Sequence, residues 1–530
     1  TDVIDPYYNT THYEYDEANR RKKMTISKTG NEYEYSYDNA NQMQAVWDNY
    51  GTYTFQYDAF GRMSKKTLPN GTWTELQSNH LGNLLSLINY KSNNSVISQY
   101  LSQNAGDFDM IGNRKKVLTH DGNYEYNYDS IYQLTEAKLN GNLTEGYSYD
   151  SVGNRIVGAY RDTPSGNYVY DNGNRLETLT HDTMTVSYTY DNNGSRITKT
   201  DTTGVTNYTY DYENRLKRID FANGDYAEYT YDALGRRIEK KVFNTQNSSL
   251  TTHRYVYDGE DIIAVLDSTN TAIASITHGP GIDHPLSYHD LVADSTYYYH
   301  QDYLGSITAI TDSNQNVIET YRYDSYGNLL TSLNASTLQL IYAFTGRELD
   351  PQSGLYFYRA RYYDSKVGRF LEPDPIGFLA GVNFYVYCNN SPVNWIDPLG
   401  LAVGDWWDYK SNIEFIAKTT AVEAYNEAKR SGLPGAAGGP QDAYRHALWN
   451  QKMKEGSSPL NALVASTYHE LVDNVKDGTQ TWEDLLMDMH NNLKGALSDK
   501  DALDLLKDGE LRINKIDPQK GYKNYKSKCK

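Results

Sequence analysis

Cysteine is almost missing from this sequence: Cys388 and Cys529 are the two in 530 residues, so no disulfide framework is available and cysteine usage leaves the redox compartment open. Also missing is any apolar run of about 18 residues, which leaves no candidate for a membrane-spanning helix. Residue 1 is Thr followed by polar sequence; no signal peptide is visible, and the natural chain is expected to continue upstream. Phenylalanine is scarce, 11 residues against 52 tyrosines, so much of the buried surface has to be amphipathic aromatic. Basic residues are in deficit as well, for a formal net charge of −18. That deficit sits in the first part: up to Leu401 there are 32 Lys and Arg against 49 Asp and Glu, and beyond it 18 against 19. An acidic surface argues against direct nucleic-acid binding by residues 1–401, whereas the remainder is near neutral and ends in a basic run from Lys520 to Lys530.

What is present is repetition. A Tyr-x-Tyr-Asp unit recurs at Tyr13–Asp16, Tyr35–Asp38, Tyr147–Asp150, Tyr168–Asp171, Tyr188–Asp191, Tyr208–Asp211 and Tyr229–Asp232, and from Asp150 to Asp232 the aspartates step by 21, 20, 20 and 21 residues. Degenerate copies surround Asp58, Asp109 and Asp129. In each unit the two tyrosines, at i and i+2, share one face of a strand. Asp with Gly or Asn then supplies a turn, and Arg-Ile or Arg-Leu starts the return strand. Hairpins joined in series this often predict one long, winding antiparallel sheet.

From Tyr297 the repeats pass into YYYHQDYLGSITAITD, ETYRYDSYGN and FTGRELDPQSGLYFYRARYYDSKVGRFLEPDPIGFLAGVNFYVYCNNSPVNWIDPLGL. Together with the Tyr-Asp units, these segments resemble the RHS- or YD-repeat family of polymorphic toxins over residues 1–401. The resemblance implies a mainly β chain: a spiralling antiparallel shell or cage housing the chain's own C-terminal domain. It divides the chain into a repeat shell (1–290), an RHS-associated core (291–401) and an effector domain (402–530). About sixteen repeats give roughly 32 strands at about 4.8 Å each, some 150 Å of sheet. Enclosing a domain of about 130 residues needs on the order of 170 Å. Residues 1–401 are therefore expected to make less than one turn, as an open shell or the closing part of a longer one.

Two Asp-Pro pairs, Asp374-Pro375 and Asp397-Pro398, bracket the end of this segment, just before Gly400-Leu401. The resemblance implies that the core cuts the chain after that Gly-Leu using paired aspartates. Carried over, these are Asp374 and Asp397, with Arg361 as the neighbouring cation and Leu401–Ala402 as the scissile bond. Two carboxylates brought together cannot both stay ionised, so one keeps a proton as acid while the other activates water. Arg361 would hold the ionised partner and steady the oxyanion. The alternative reading makes both Asp-Pro pairs turn initiators and Arg361 a salt-bridge partner.

After Leu401 the repeat stops and helical periodicity begins, over 412–430, 441–455, 459–477, 480–497 and 499–508, which predicts a small all-α domain. Three of these helices carry clustered chemistry: Asp442, Arg445 and His446; His469, Glu470 and Asp473; Asp484, Asp488, His490 and Asn491. His and carboxylate one turn apart can present two ligands to one divalent metal, Zn or Mg, so Asp442, His446, His469, Asp473, Asp488 and His490 are the candidate metal ligands. Glu470 or Asp488 would be the general base, and Arg445 would clamp a phosphate or oxyanion. The alternative is a set of buried polar residues that stitch helices together. The pattern DAxRHAxW…HE…DxHNNxxG also resembles an uncharacterised domain found at the ends of polymorphic toxins.

The resemblance implies a secreted or cell-surface toxin whose self-cleaved tail is delivered into a target cell. The tail is expected to be a metal-assisted hydrolase of nucleic acid. A hydrolase of a phospholipid, cell-wall precursor or peptide is the first alternative, and a non-catalytic adhesive or partner-binding module the second. The expected partners are the tail itself, held non-covalently after cleavage, a cognate immunity protein, and secretion and delivery machinery.

Overall fold

The computed structural model describes residues 1–401 apart from 105, 161, 162, 183 and 334–340. The helices expected in 402–530 lie outside the described residues. Among the described residues, 31 strands from Asp2–Ile4 to Leu329–Leu333 form one antiparallel sheet in which each strand pairs with the next in sequence. The serial-hairpin reading is thus the architecture observed.

The repeat unit explains the local geometry. Around Asp211, the Asp211 N–H donates to the Arg215 carbonyl (2.9 Å) and the Asn214 N–H to the Asp211 carbonyl (3.0 Å). One carboxylate oxygen of Asp211 accepts the N–H groups of Glu213 (2.9 Å) and Arg215 (3.0 Å), and the other accepts Arg215 Nε (2.8 Å). Asp therefore fills four bonding directions of a tight loop, the case in which its short side chain outperforms other residues. Asn214 has φ 64°, a left-handed conformation that Asn and Gly tolerate best, and Gly194 and Gly235 hold the same loop position. The same loop recurs at Asp16, Asp58, Asp171 and Asp232, with Arg four residues on as the partner.

The two tyrosines of the unit do different work. The first is buried, as at Tyr168, Tyr188, Tyr208 and Tyr229. The second, after a β-bulge such as that between Thr209 and Tyr210, sends its hydroxyl to the carbonyl that starts the preceding return strand. Tyr170 donates to Arg155 O (2.9 Å), Tyr190 to Leu176 O (3.0 Å), Tyr210 to Arg196 O (2.8 Å) and Tyr231 to Leu216 O (2.6 Å). Phenylalanine cannot make this bond, which accounts for the tyrosine excess.

The sheet meets itself. Tyr13 donates to Asp258 (3.2 Å), Tyr53 bonds Ser287 (2.5 Å) and Asn70 donates to the Asp312 carbonyl (2.9 Å), while Tyr33, Val46 and Phe55 share a core with Val256, Leu266 and Leu286. The strand Thr10–Tyr15 thus lies against Ser249–Asp258, the second strand against the twenty-fourth. One turn takes roughly 105 Å of sheet at about 4.8 Å per strand, so the expectation of less than one turn is corrected. The strip curls onto its own final segment: Tyr356, Tyr358, Tyr363, Phe370 and Tyr387 pack on Val117, Tyr126 and Tyr147, and Leu355, Phe357 and Tyr362 on Tyr208, Ile219 and Tyr229. That segment forms a separate sheet of four strands, Glu348–Asp350, Leu355–Tyr358, Arg361–Asp364 and Arg369–Phe370.

Replacing Tyr210 with Phe leaves the Arg196 carbonyl without its donor and should cost about 1 kcal/mol. Asp211→Ala, which also strips two backbone N–H groups of their acceptor, should cost about 2 kcal/mol. Urea unfolding of the two variants against the parent checks both, and a larger loss for Tyr210→Phe than for Asp211→Ala would contradict this order.

Candidate functional site

Arg361 follows a tight turn, Tyr358 to Arg361, in which Arg359 adopts φ 54°. Its guanidinium is buried and lies over the Phe370 ring, 3.6 Å from the centroid. Nη2 contacts Asp374 Oδ2 at 2.7 Å and Asp397 Oδ2 at 3.4 Å. Nε donates to the Gly400 carbonyl (2.6 Å) and Nη1 to the Phe384 carbonyl (2.9 Å). Three of these contacts are hydrogen bonds, to Asp397, Gly400 and Phe384, and the contact with Asp374 is an ion pair. The three residues expected to form the self-cleavage site are therefore brought together, although 23 residues separate the two aspartates in sequence.

Both aspartates also start turns. Asp374 Oδ1 accepts the Ile376 N–H (3.0 Å). The Asp397 carbonyl accepts the Gly400 N–H (3.2 Å), and Asp397 Oδ1 accepts the Leu401 N–H (2.9 Å). Turn initiation by both aspartates thus stands alongside the cluster. The Asp397–Leu401 turn is held along its backbone: Arg359 donates to the Pro398 carbonyl, the Ala360 N–H to the Leu399 carbonyl (3.2 Å) and Arg361 to the Gly400 carbonyl. Gly400 has φ 66°, and a Cβ there would collide with the Tyr358 carbonyl oxygen. Only glycine meets both conditions. Covalent geometry puts the Leu401 carbonyl carbon about 2.5 Å from its own nitrogen, hence within roughly 5.4 Å of Asp397 Oδ1. Ala402, the far side of the expected scissile bond, lies outside the described residues.

Burial dominates the electrostatics. It pushes the Asp374 carboxyl up to about 6 against the pull of Arg361, with the nearby Asp397 adding to the rise. Burial also pulls the Arg361 guanidinium down against Asp374, Asp397 and Glu372, but from so high a starting value the group stays cationic. Two groups that sequence reasoning missed join the cluster. Glu372 is buried, accepts the Tyr362 N–H at 2.9 Å, and is pushed up to about 7 chiefly by burial. Cys388 is a buried thiol raised by burial and by Asp397. Glu372 stands two residues before Asp374 in the same Glu-Pro-Asp-Pro run, a signal the sequence did offer; Cys388 gave none.

The tail candidates Asp442, Arg445, His446, His469, Glu470, Asp473, Asp488 and His490 lie outside the described residues. Among the described residues no helix is long and apolar enough to cross a membrane.

Comparison with known proteins gives three family matches: Teneurin YD-shell over residues 109–393, RHS Repeat over 37–72, and Domain of unknown function (DUF6973) over 410–510. The tRNA3(Ser)-specific nuclease WapA of Bacillus spizizenii is 30% identical over 416 residues, covering 69% of this chain and 15% of that protein. The double-stranded DNA deaminase toxin A of Burkholderia cenocepacia is 30% identical over 197 residues, covering 33% of this chain and 14% of that one. The chain thus spans about a seventh of each of these relatives. The crystal structure of TcdB2-TccC3 shares the fold, with a TM-score of 0.59 at 20% identity over 74% of this chain and 22% of that one.

Raised carboxyl values make the site a source of pH dependence. Asp374 and Glu372 favour the fold fully below the ordinary carboxylate range, near 4, and lose that contribution as pH rises through about 6 and about 7. Glu372→Gln should therefore flatten the fall in stability between about pH 4 and 7, read as melting temperature against pH; an unchanged slope would place the titration elsewhere.

Proposed function

The chain belongs to the YD-shell family of RHS-repeat proteins, and from that premise we propose that its core segment cuts the chain after Leu401 and that residues 402–530 are a toxin acting on nucleic acid. The observation that carries the first half is the Arg361 guanidinium touching Asp374 and Asp397 while Asp397 also holds the Leu401 N–H.

In this reading Asp374, the carboxyl raised to about 6, keeps the proton. Asp397 takes a proton from the attacking water, whose oxygen adds to the Leu401 carbonyl carbon. Collapse breaks the bond to the Ala402 nitrogen, which receives the proton from Asp374, leaving a Leu401 carboxylate and an Ala402 amine. Arg361 positions both carboxylates and pins the Gly400 carbonyl, so the bond to be cut is presented at a fixed place. An Arg361 N–H outside its three hydrogen bonds steadies the oxyanion. After the cut, the tail is held non-covalently.

The second half rests on the relatives. They are named for two different reactions, a tRNA nuclease and a DNA deaminase, with nucleic acid as the common target. The His and carboxylate pairs of the tail suit a divalent metal, with Glu470 or Asp488 as base and Arg445 on the phosphate. A secreted toxin of this kind needs delivery machinery and an immunity protein in the cell that makes it.

Asp397→Asn and Asp374→Asn should each abolish the two-fragment pattern on a denaturing gel, a loss of at least 100-fold in cleavage rate. Cleavage should slow as pH rises through about 6, since Asp374 then loses the proton it must donate. Two fragments from Asp397→Asn would remove the mechanism. Expression of 402–530 should arrest growth with loss of RNA or DNA, and His446→Ala with His469→Ala should relieve it; a tail harmless in every compartment would remove the toxin reading.

A further inference from the structure

Side chains join the first turn of the sheet to the strands it lies against: Tyr53 to Ser287, Asn70 to the Asp312 carbonyl and Ser92 to Gln315. Within this seam stands Lys66, on the strand Met63–Thr67 and 4% exposed. Its amine donates to His284 Nε2 (3.1 Å) and Gln301 Oε1 (3.4 Å), and among the described residues no carboxylate pairs with it. A buried lysine is ordinarily held by an acid. This one leans on an imidazole, and a second imidazole, His300, is close enough to feel its charge.

Hydrogen bonding fixes which nitrogen of His284 carries its proton. Nδ1 lies 3.1 Å from the Pro280 carbonyl, which can only accept, so Nδ1 holds the hydrogen and Nε2 is the bare nitrogen that accepts from Lys66. A second proton can go only on Nε2, where it would point at the lysine. At His300, Nε2 meets Thr311 Oγ1 at 2.9 Å, while Nδ1 is buried without a hydrogen-bond partner. An imidazolium there would hold a buried, charged N–H with no acceptor. The other groups around the cluster offer no relief. His278 faces His284 but has its own carboxylate, Asp261, at 3.7 Å. Asp283 is spent on Arg347 and Arg359, Asp302 caps its own loop through the Leu304 and Ser306 N–H groups, and the Phe55 ring is tilted against His284. Burial, helped by Lys66, pushes His284 and His300 each down to about 3, and burial pulls Lys66 down to about 8.

We propose that Lys66, His284 and His300 form an acid-sensitive latch: protonation of the two imidazoles beside the buried lysine parts the first turn of the sheet from the strands Pro285–Asp290 and Ser295–Gln301. Separation gives both rings water and takes them away from Lys66, so the open form binds protons more tightly than the closed one. The closed form is therefore favoured fully above the ordinary imidazole value, near 6.5, and loses that advantage steadily as pH falls toward about 3. Each histidine changes the ratio of closed to open by up to about tenfold per pH unit. The sign is opposite to that of Asp374 and Glu372, whose carboxyls favour the fold in acid. Acid thus loosens the seam while it steadies the core segment.

Spin labels at Gln56→Cys and Asn314→Cys, exposed positions on the two sides of the seam, report its opening by pulsed electron spin resonance on the full chain carrying Cys529→Ser. The expected result is one distance from about pH 8 to 6.5 and a longer or broader one below about pH 5, with the strand signal in circular dichroism kept. His284→Gln with His300→Gln, which leaves Lys66 an acceptor but cannot titrate, should move the opening down by at least about one pH unit. Lys66→Met, which removes the cation and keeps both rings, should also move it down, and it stands in if the double variant does not fold. A variant is folded when it shows the parent distance at pH 8. An unchanged parent distance down to about pH 4, opening that coincides with loss of the strand signal, or an unmoved opening pH in either folded variant would each overturn the proposal.

Discussion

The bond from a tyrosine hydroxyl to the carbonyl that opens the preceding return strand is the interaction on which this structure depends. Serial hairpins have no intrinsic reason to keep one register or one curvature, since each could slip or splay independently. The Asp loop fixes the turn, the bulge before it aims the second tyrosine of the unit, and the hydroxyl then locks each hairpin to its neighbour. Repetition of that lock gives the strip a constant curl, so it meets itself after one turn and its tyrosine face closes on the final segment.

Buried charge then selects where that segment sits. Arginines four residues after the loop aspartate are spent locally on the loop. Those one residue later point inward: Arg196 pairs with Asp364 (2.8 Å) and Arg237 with Asp350 (2.7 Å). Burial raises Asp350, but Arg237 and Lys240 outweigh it and hold the carboxyl at about 2. A buried guanidinium without its carboxylate would be strongly unfavourable, so these pairs admit one seating of the core segment. Arg361, Asp374 and Asp397 belong to the same class of contact. They differ in that two raised or clustered carboxyls share one cation, and in that the chain's own Gly400-Leu401 turn is threaded through them.

Legibility followed the range of the interactions. The loop and strand pattern could be read from Tyr-x-Tyr-Asp because every bond it makes is within a unit or to its neighbour. Asp374, Asp397 and Arg361 were legible through family likeness, and the structure adds that they converge. Glu372 was passed over because an acid just before a proline looks like turn chemistry until its burial is known. The burial of Asp324 could not be read at all: its repeat looks ordinary, and only the tertiary structure takes its carboxyl out of water.

The sequence by itself determined the hairpin unit, its register, the antiparallel class and the place where the repetitive part ends, because period-two alternation and loop chemistry are local properties of the chain. Tertiary structure decided how far the sheet turns before meeting itself, which arginines turn inward, and which carboxyls are held away from water. Those outcomes depend on contacts between residues about 240 positions apart, such as Tyr13 with Asp258 and Asn70 with Asp312. No local pattern encodes such a distance; it is set by the accumulated curl of more than twenty strands and by the volume of the segment they wrap.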